Sequence, residues 1–402
     1  MEGRSAASNP FTPGFGNLPR VFAGRKGEFA DLQLMVDRLA AGIYEQPRLV
    51  TGDRGVGKTA LLREFEDEQN DAGRWVVRGA ATPGGTVSAR LTGQLAEVLD
   101  RRDVPGRLSG AALQGIRRLA GVEIGPRGLA VDCTTPPTTT PADRAGELAR
   151  LLIEAARLAR ERGTVLLVLV DEAQNIDRAA TGNFFSAVQE AQMQVVIEVD
   201  RRSGARLRHS LPIGVVVAGL PGLVAHLGAA GSTFGERSKP VELGVFDDAD
   251  LREGLRAFAT AGGGVFDADA LELVMEASGG YPYFLHVVGS HVWNAGTGSV
   301  VTRADAEAGI AAASAYLDAF YEERLRGLGE RQRQYLDAAA RLDPADRTPG
   351  RIAEQLGTSS RRLASTWQSL VGRHGLLRSA GGDGRLAFAL PGLDAYFRRS
   401  PR

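Results

Sequence analysis

The 402-residue sequence predicts an α/β fold, in which helices cover a parallel sheet, followed by a helical region and a small helix-and-hairpin domain. Two apolar runs, residues 165–170 and 213–220, lack the alternation of half-exposed strands. Such continuous runs are typical of strands buried on both faces of a parallel sheet. Segments with helical spacing separate the strands, and this alternation predicts a doubly wound α/β layer.

The composition limits the classes of protein to which the chain can belong. The apolar content of 43% and the charged content of 24% are those of a globular chain, and the length predicts two or three domains. Lys+Arg and Asp+Glu are 48 each, so net charge indicates no partner. The single cysteine, Cys133, excludes an internal disulfide. Residues 1–19 lack a signal-peptide apolar segment and no run is long enough to span a membrane, so we expect a cytoplasmic protein without a membrane partner.

A phosphate-binding motif lies between a short strand at residues 48–50 and a helix that begins near residue 60. It reads G-x-x-x-x-G-K-[ST], and glycines let the backbone N–H groups wrap round a phosphate. Lys58 would place its charge on the β- and γ-phosphates, and Thr59 would ligate Mg²⁺. The alternative is a chance glycine-rich turn. The predicted nucleotide-binding residues of the loop are Gly52, Asp53, Arg54, Gly55, Val56, Gly57, Lys58, Thr59 and Ala60.

Two carboxylates follow the apolar strand at residues 165–170. In open α/β sheets, ligands bind at the carboxyl ends of the strands. Asp171 would hold Mg²⁺ through water, and Glu172 would orient and deprotonate the water that attacks the γ-phosphate. The alternative is a solvated acidic turn.

The remaining segments of the first half have less specific patterns. Residues 1–20 are predicted to be either a disordered leader or an arm, in which Phe11 and Phe15 pack on the nucleotide-binding domain near the base. Residues 134–141, nearly all Thr and Pro, predict an exposed loop. Further elements are predicted as helices to about residue 41, within 86–120 and at 142–161, a strand at 75–78 and a hairpin at 121–132.

Two groups of arginines are candidates for contacts. Residues 200–209 contain four arginines and predict a solvated turn, or a contact with nucleic acid or a partner. Arg237 would reach a γ-phosphate, within the chain or across a subunit interface, and neutralise developing charge. The alternative for Arg237 is a plain surface position.

The carboxyl-terminal third changes character twice. Residues 247–320 predict helices only, interrupted at residues 279–282. The last 80 residues predict a helix, a short helix, a third helix at 359–370 with Ser359 as N-cap, and a hairpin, which is the order of a winged helix. They contain 15 arginines and eight acidic residues. Arg361 and Arg362, at the start of the third helix, would contact double-stranded DNA; alternatively the winged helix contacts only protein.

With these motifs, the sequence resembles the AAA+ P-loop ATPases of the origin-recognition-like class and the neighbouring STAND-type signalling ATPases, especially bacterial ATP-binding proteins with a C-terminal winged helix. The shared residues are Asn9-Pro10-Phe11, Val21-Phe22-Ala23-Gly24-Arg25 with Glu28, the phosphate loop, Asp171-Glu172, Val217-Ala218-Gly219-Leu220-Pro221 and Gly279-Gly280-Tyr281-Pro282. The domains that the resemblance implies are an extended arm (1–20), an AAA+ α/β nucleotide-binding domain (21–240), a helical lid (241–320) and a winged-helix domain (321–402).

The resemblance implies ATP or ADP with Mg²⁺ as ligands. It adds Arg25 and Pro282 to the nucleotide contacts, since the G-x-P sequence is similar to the STAND lid motif, whose proline lies against the nucleotide. Two γ-phosphate sensors of AAA+ enzymes are absent: Ala218-Gly219 replaces a polar sensor 1, and Gly280-Tyr281-Pro282 replaces the sensor-2 arginine. These departures favour a slow ATPase that switches DNA or partner binding through its winged helix, with homo-oligomers possible in the family. The alternative is a STAND-like signalling or scaffold ATPase whose winged helix contacts protein.

Overall fold

The computed structural model describes residues 4–14, 16–102, 105–125, 128–131, 140–199, 202–372, 374–380 and 383–399. The chain forms two compact units. The sheet unit comprises Lys26–Gly52 and Leu61–Glu242. The lid unit comprises Met1–Arg25, Asp53–Ala60 and Leu243–Arg402. The phosphate loop therefore packs with the lid unit, although β1, the strand before it, belongs to the sheet unit. The domain boundaries at residues 20, 240 and 320 stay predictions.

The elements up to residue 242 alternate between helices and strands. The helices are α1 (Lys26–Ala40), α2 (Lys58–Asp71), α3 (Val87–Arg101), α4 (Gly110–Ala120), α5 (Pro141–Glu161), α6 (Arg178–Gln192), α7 (Leu223–Ala229) and α8 (Phe234–Arg237). The strands are β1 (Arg48–Thr51), β2 (Trp75–Ala80), β3 (Val122–Gly125), β4 (Gly128–Val131), β5 (Leu166–Asp171), β6 (Val195–Val199), β7 (Arg206–Ser210), β8 (Ile213–Gly219) and β9 (Lys239–Glu242).

Five parallel strands form the central sheet, in the order β2-β5-β8-β1-β9. Every residue of β5 and β8 is buried, which explains why both strands read as continuous apolar runs. Side chains of α3, α5 and α6 pack with those of the strands in one apolar core. The predicted fold class is confirmed.

Two hairpins interrupt the alternation. Strands β3 and β4 pair antiparallel, as predicted, while most of the Thr/Pro loop lies outside the described residues. The prediction of a solvated turn at 200–209 is wrong for β7, which pairs antiparallel with β6. The arginines of β7 hide the strand pattern, because its stability comes from the valine-rich partner strand and not from its own composition.

The first four helices of the lid unit after the sheet unit are α9 (Asp248–Ala261), α10 (Ala268–Ser278), α11 (Pro282–Asn294) and α12 (Arg303–Leu325). Gly279 ends α10 in the left-handed region, with φ of 55°. Pro282 then begins α11, where its missing N–H costs nothing. The region is not wholly helical as predicted, since β10 (Val265–Phe266) and β11 (Val300–Val301) form a two-residue parallel pair.

The carboxyl-terminal elements are α13 (Glu330–Arg341), α14 (Pro349–Gln355), α15 (Ala364–Gly372), β12 (Leu377–Ser379), β13 (Leu386–Phe388) and α16 (Leu393–Arg399). Three helices followed by an antiparallel hairpin match the predicted order. Ser359 is the N-cap residue as predicted, but of a 3₁₀ turn, and its side chain makes no capping bond. A 3₁₀ turn, Ser360–Leu363, precedes α15, and the Arg362 N–H that a cap would bind donates instead to the Ser359 carbonyl at 3.0 Å.

The described part of the amino-terminal arm packs on the lid helices. The buried Phe11 ring stacks on Phe258 of α9, with centroids 5.1 Å apart. Gly289 of α11 makes room for it, since a Cβ there would lie 2.4 Å from the Phe11 ring. The prediction that Phe11 packs on the nucleotide-binding domain is therefore wrong, and so is a disordered leader for residues 4–14. Phe15 lies outside the described residues.

Candidate nucleotide-binding site

The phosphate loop joins β1 to the amino terminus of α2. Gly55 and Gly57 have φ of 88° and 94°, a region in which any side chain would strain the backbone. α2 begins at Lys58, and the backbone N–H groups and dipole at the amino end of a helix suit an anion. The Lys58 side chain is 5% exposed, and its ammonium donates to the Asp53 carbonyl at 2.8 Å. These residues fit the phosphates of a nucleotide.

The residues after Gly280 bind the backbone of the loop. The Tyr281 hydroxyl donates to the Arg54 carbonyl, and the Tyr283 N–H donates to the Gly55 carbonyl at 3.2 Å. Burial raises the pKa of Tyr281 far above its usual value, so the hydroxyl stays a donor. Pro282, which separates these two tyrosines in the chain, is also buried. The predicted nucleotide contact thus lies in a segment fixed to the loop.

Arg25, the last residue of the amino-terminal segment of the lid unit, also binds the loop backbone. It is buried, with φ of 63°, and its N–H donates to an Asp250 carboxylate oxygen at 3.2 Å. Its guanidinium donates to the Val56 carbonyl at 3.1 Å and also to the Gly244 carbonyl. Arg25 therefore positions the loop backbone, whatever contact it makes with a nucleotide.

Asp53 is the centre of a charged cluster that the sequence did not indicate. Burial raises the pKa of Asp53, and the charges of Lys58, Arg324 and Arg378 act in the opposite direction. Arg324 lies at the end of α12, and burial lowers its pKa. Its Nε is buried and has no hydrogen-bond partner among the described residues. The sequence did not indicate Arg324, because this arginine lies on α12, far from Asp53 in the chain.

In the sheet unit, Asp171 is the last residue of β5 and Glu172 follows it. Asp171 is 2% exposed, and its Oδ1 accepts from the Glu172 N–H at 2.8 Å. Glu172 has φ of 53°, an uncommon conformation for a non-glycine residue. Backbone strain of this kind persists where the surrounding structure enforces it, often at functional sites.

Gln174 connects Glu172 to the end of β8. Its amide nitrogen donates to the Glu172 carboxylate, and its Oε1 accepts from the Leu220 N–H at 3.1 Å. A Cβ at Gly219 would lie 2.8 Å from this Oε1, so the glycine leaves room for the amide. Gln174 thus places a polar group beside the end of β8, which sequence reasoning missed because Gln174 and Gly219 are 45 residues apart in the chain.

The other predicted site residues are exposed arginines. Arg237 ends α8, and its Nη1 lies 3.9 Å from the Met193 sulfur. Arg361 and Arg362 lie on the 3₁₀ turn before α15. Among the residues that the structure describes, no cluster of three His, Cys, Asp or Glu residues could hold a metal. Thr59 and Asp171 as magnesium ligands stay a prediction. None of the helices in the described ranges is both long and apolar enough to cross a membrane.

The comparisons with known proteins agree with this geometry. Residues 21–197 match the family model described as AAA ATPase domain, which defines the class of the nucleotide-binding part. Residues 318–397 match a model described as a domain of unknown function. A search of curated proteins gives no match.

Solved structures extend the likeness to the whole chain. A Walker-type ATPase of Pyrococcus abyssi is 18% identical with a TM-score of 0.59, over 94% of this chain and 96% of that chain. The ORC2 protein of Aeropyrum pernix, described as ADPNP–ADP complexes, is 12% identical with a TM-score of 0.55, over 99% and 98%. At these identities the likeness establishes the fold: an AAA core, a helical lid and a carboxyl-terminal domain with a hairpin.

Proposed function

We propose that the chain is a Mg²⁺-dependent, slow ATPase whose nucleotide state switches the binding of DNA or a protein partner by its carboxyl-terminal domain. One observation carries the proposal. The loop Asp53–Ala60 packs in the same compact unit as the lid and the carboxyl-terminal domain. A ligand on the loop therefore touches the part of the molecule that would carry the output. The AAA ATPase match and the nucleotide complexes of the ORC2 protein support ATP and ADP as ligands.

The chemistry follows from the residue types. Bound Mg²⁺ supplies positive charge to the phosphates. Thr59 and Asp171 are the proposed ligands, and Lys58 would add the ammonium. Glu172 would orient a water molecule and take its proton. Gln174 would hold the Glu172 carboxylate in place through the amide bond described above.

The Asp53 cluster would transmit the nucleotide state. Lys58 donates to the Asp53 carbonyl, and a phosphate in the loop would compete for this ammonium. The Asp53 carboxyl lies in the field of Arg324 on α12 and Arg378 on β12. A change at Lys58 would therefore alter the charge balance of the helix that leads into the carboxyl-terminal domain. Such a small change suffices for a switch when two packings of a domain are close in energy.

Hydrogen exchange tests the switch. The full chain is compared with ADP and with a non-hydrolysable ATP analogue, both with Mg²⁺. We expect different protection of β12 (Leu377–Ser379) in the two states, and no difference in Lys58→Ala. Lys239→Ala, an exposed lysine paired with Asp31, is the matched control. Nucleotide binding with identical exchange of β12 in both states would refute the switch.

DNA is the favoured output because of charge. Arg361 and Arg362 are exposed, and the domain that contains them has the arginine excess. Arg361→Ala/Arg362→Ala should weaken binding of a DNA duplex and flatten its dependence on salt, since each phosphate contact releases counterions. Arg351→Ala, which removes an exposed arginine paired with Glu354, is the control. Wild-type affinity that is unmeasurable at low salt would favour the signalling or scaffold alternative, in which the domain contacts protein.

A further inference from the structure

The hairpin formed by β6 and β7 exposes an unusual amount of apolar surface. Among the described residues, fourteen large apolar side chains are exposed, and five of them lie in the 15 residues from 193 to 207. These five are Met193, Val195, Ile197, Val199 and Leu207. Single exposed apolar residues need no explanation, but several on one face mark a contact surface. Leu207 is not on the face of Ile197, because it pairs with Glu198.

The strand register separates the two faces of the hairpin. Residues that pair directly across an antiparallel ladder share a face. Ile197 pairs with Arg208, and Val199 pairs with Arg206. Because side chains alternate along a strand, Val195 shares the face of Ile197 and Val199. One face therefore presents three β-branched residues beside two arginines.

The opposite face of the hairpin holds it to the sheet unit. Val196 packs against the apolar core. Glu198 accepts from Arg160 of α5, and His209 lies 3.7 Å from the same carboxylate. The face with Ile197 consequently points away from the core and contributes little to folding.

About half of the surface of each apolar side chain on the outer face is exposed. The exposed fractions of Val195, Ile197 and Val199 are 52%, 46% and 61%. Neither Arg206 nor Arg208 forms an ion pair with any described carboxylate. We name Val195, Ile197, Val199, Arg206 and Arg208 the hairpin patch. An open strand pair with an uncovered apolar row invites aggregation, and many proteins blunt such edges with charge. Here the row lies beside Arg206 and Arg208, which have no carboxylate partner among the residues that the structure describes, and this combination indicates a contact surface for a partner.

We propose that the hairpin patch is the docking site of a partner protein that presents an acidic amphipathic helix. Two strands about 4.8 Å apart, together with their side chains, match the width of one helix, which is about 10 Å. Five residues of β6 span about 17 Å, or three helical turns. Apolar side chains of the partner would cover the valines and Ile197, and its carboxylates would pair with Arg206 and Arg208.

Charge and apolarity favour this occupant over two others. A second copy docked through the same patch would bring arginines to a face without carboxylates, since Glu198 lies on the inner face and is already paired. Nucleic acid would satisfy the arginines but leave the β-branched row against phosphate and sugar. The proposal is independent of the nucleotide switch.

Peptide binding tests the proposal on the full chain. Three synthetic 18-residue amphipathic helices share one leucine face and differ in flanking residues, which are Glu, Gln or Lys. Fluorescence anisotropy should show the Glu peptide binding at least tenfold tighter than the Gln peptide, and the Lys peptide weakest. Ile197→Asp should reduce affinity for the Glu peptide at least tenfold, while Arg206→Glu/Arg208→Glu should reverse the preference toward the Lys peptide.

Val224→Asp is the matched control, because Val224 on α7 has the same exposed fraction, 46%, as Ile197. Circular dichroism checks that each variant folds. Equal affinity for the three peptides, or charge reversal without effect, would overturn the proposal. Concentration-dependent self-association lost in Ile197→Asp would identify a second copy as the occupant, and DNA binding lost in Arg206→Glu/Arg208→Glu would identify nucleic acid. Either result also overturns it.

Discussion

At the scale of single residues, Lys58 could be predicted from a sequence motif and Gln174 could not. Lys58 occupies the position that the motif requires, and its ammonium is already held near the loop by the Asp53 carbonyl. Gln174 belongs to no motif, yet it makes hydrogen bonds to two segments that carry the site. The first residue follows from sequence spacing, and the second follows only from the fold.

Lys58→Ala should weaken ATP and ADP binding by roughly ten- to a hundredfold, because hydrogen bonds to a charged group contribute about 1.5–3 kcal/mol. Titration calorimetry of the full chain with Mg²⁺ measures the affinities. Lys239→Ala should bind like wild type. If Lys58→Ala kept the wild-type affinity, the phosphate-loop assignment would be wrong.

Gln174→Leu should lower the free energy of unfolding by about 1–2 kcal/mol, because it leaves the Leu220 N–H without its acceptor. It should also slow phosphate release, since the Glu172 carboxylate loses the donor that orients it. Denaturant unfolding and a phosphate assay measure the two effects. Gln334→Leu, on an exposed side of α13, should change neither. A fully active and stable Gln174→Leu protein would contradict the role given to this amide.

At the scale of elements, the arm depends on a neutral histidine. The Thr12 N–H donates to His286 Nδ1 at 3.2 Å, and Phe258 and Phe11 pack against the ring. Burial lowers the pKa of His286 to about 4. The unfolded chain therefore takes up this proton more readily than the folded chain between about pH 6.5 and pH 4.

The packing of the arm on the lid helices should therefore depend on pH. The free energy of unfolding should be highest above about pH 6.5. It should fall as the pH drops to about 4, and His286 should account for up to about 3 kcal/mol of this decrease. His286→Gln keeps an acceptor for Thr12 and should lack this part of the pH dependence. Unfolding between pH 4 and 7, with proteolysis of residues 4–14, measures it. His291→Gln, on the same helix, should behave like wild type, and equal pH profiles for all three proteins would disprove the account.

Elements whose own residues show a clear pattern could be predicted from the sequence. Elements whose position depends on the segments they contact could not. Continuous apolar runs predict β5 and β8, and Gly279 and Pro282 predict where one helix ends and the next begins. β7 was missed because its arginines read as a turn. The arm was predicted to contact the wrong part of the chain, since a phenylalanine in an extended segment carries no information on which helices it will meet.

At the scale of the whole molecule, nucleotide binding should stabilise the fold by mass action. At a free ADP concentration one hundred times the dissociation constant, the free energy of unfolding should rise by about 2.7 kcal/mol. Calorimetric unfolding of the full chain with increasing ADP and Mg²⁺ measures the shift. At the same ADP concentration the free energy of unfolding of Lys58→Ala should rise by only about 0.4–1.4 kcal/mol, because its affinity for ADP is ten- to a hundredfold weaker. A wild-type transition that is insensitive to ADP would exclude a nucleotide site in the folded chain.

The sequence by itself determined the chemistry that depends on neighbours along the chain: the phosphate loop, the paired carboxylates after β5, and the alternation that makes a parallel sheet. These features are local, because a glycine turn, a lysine and a threonine must be consecutive to surround one phosphate. The tertiary structure decided which distant groups join them. Arg324 and Tyr281 meet the loop, Gln174 meets β8, and a row of valines meets solvent, because packing of whole elements brings together residues whose separation in the chain carries no signal.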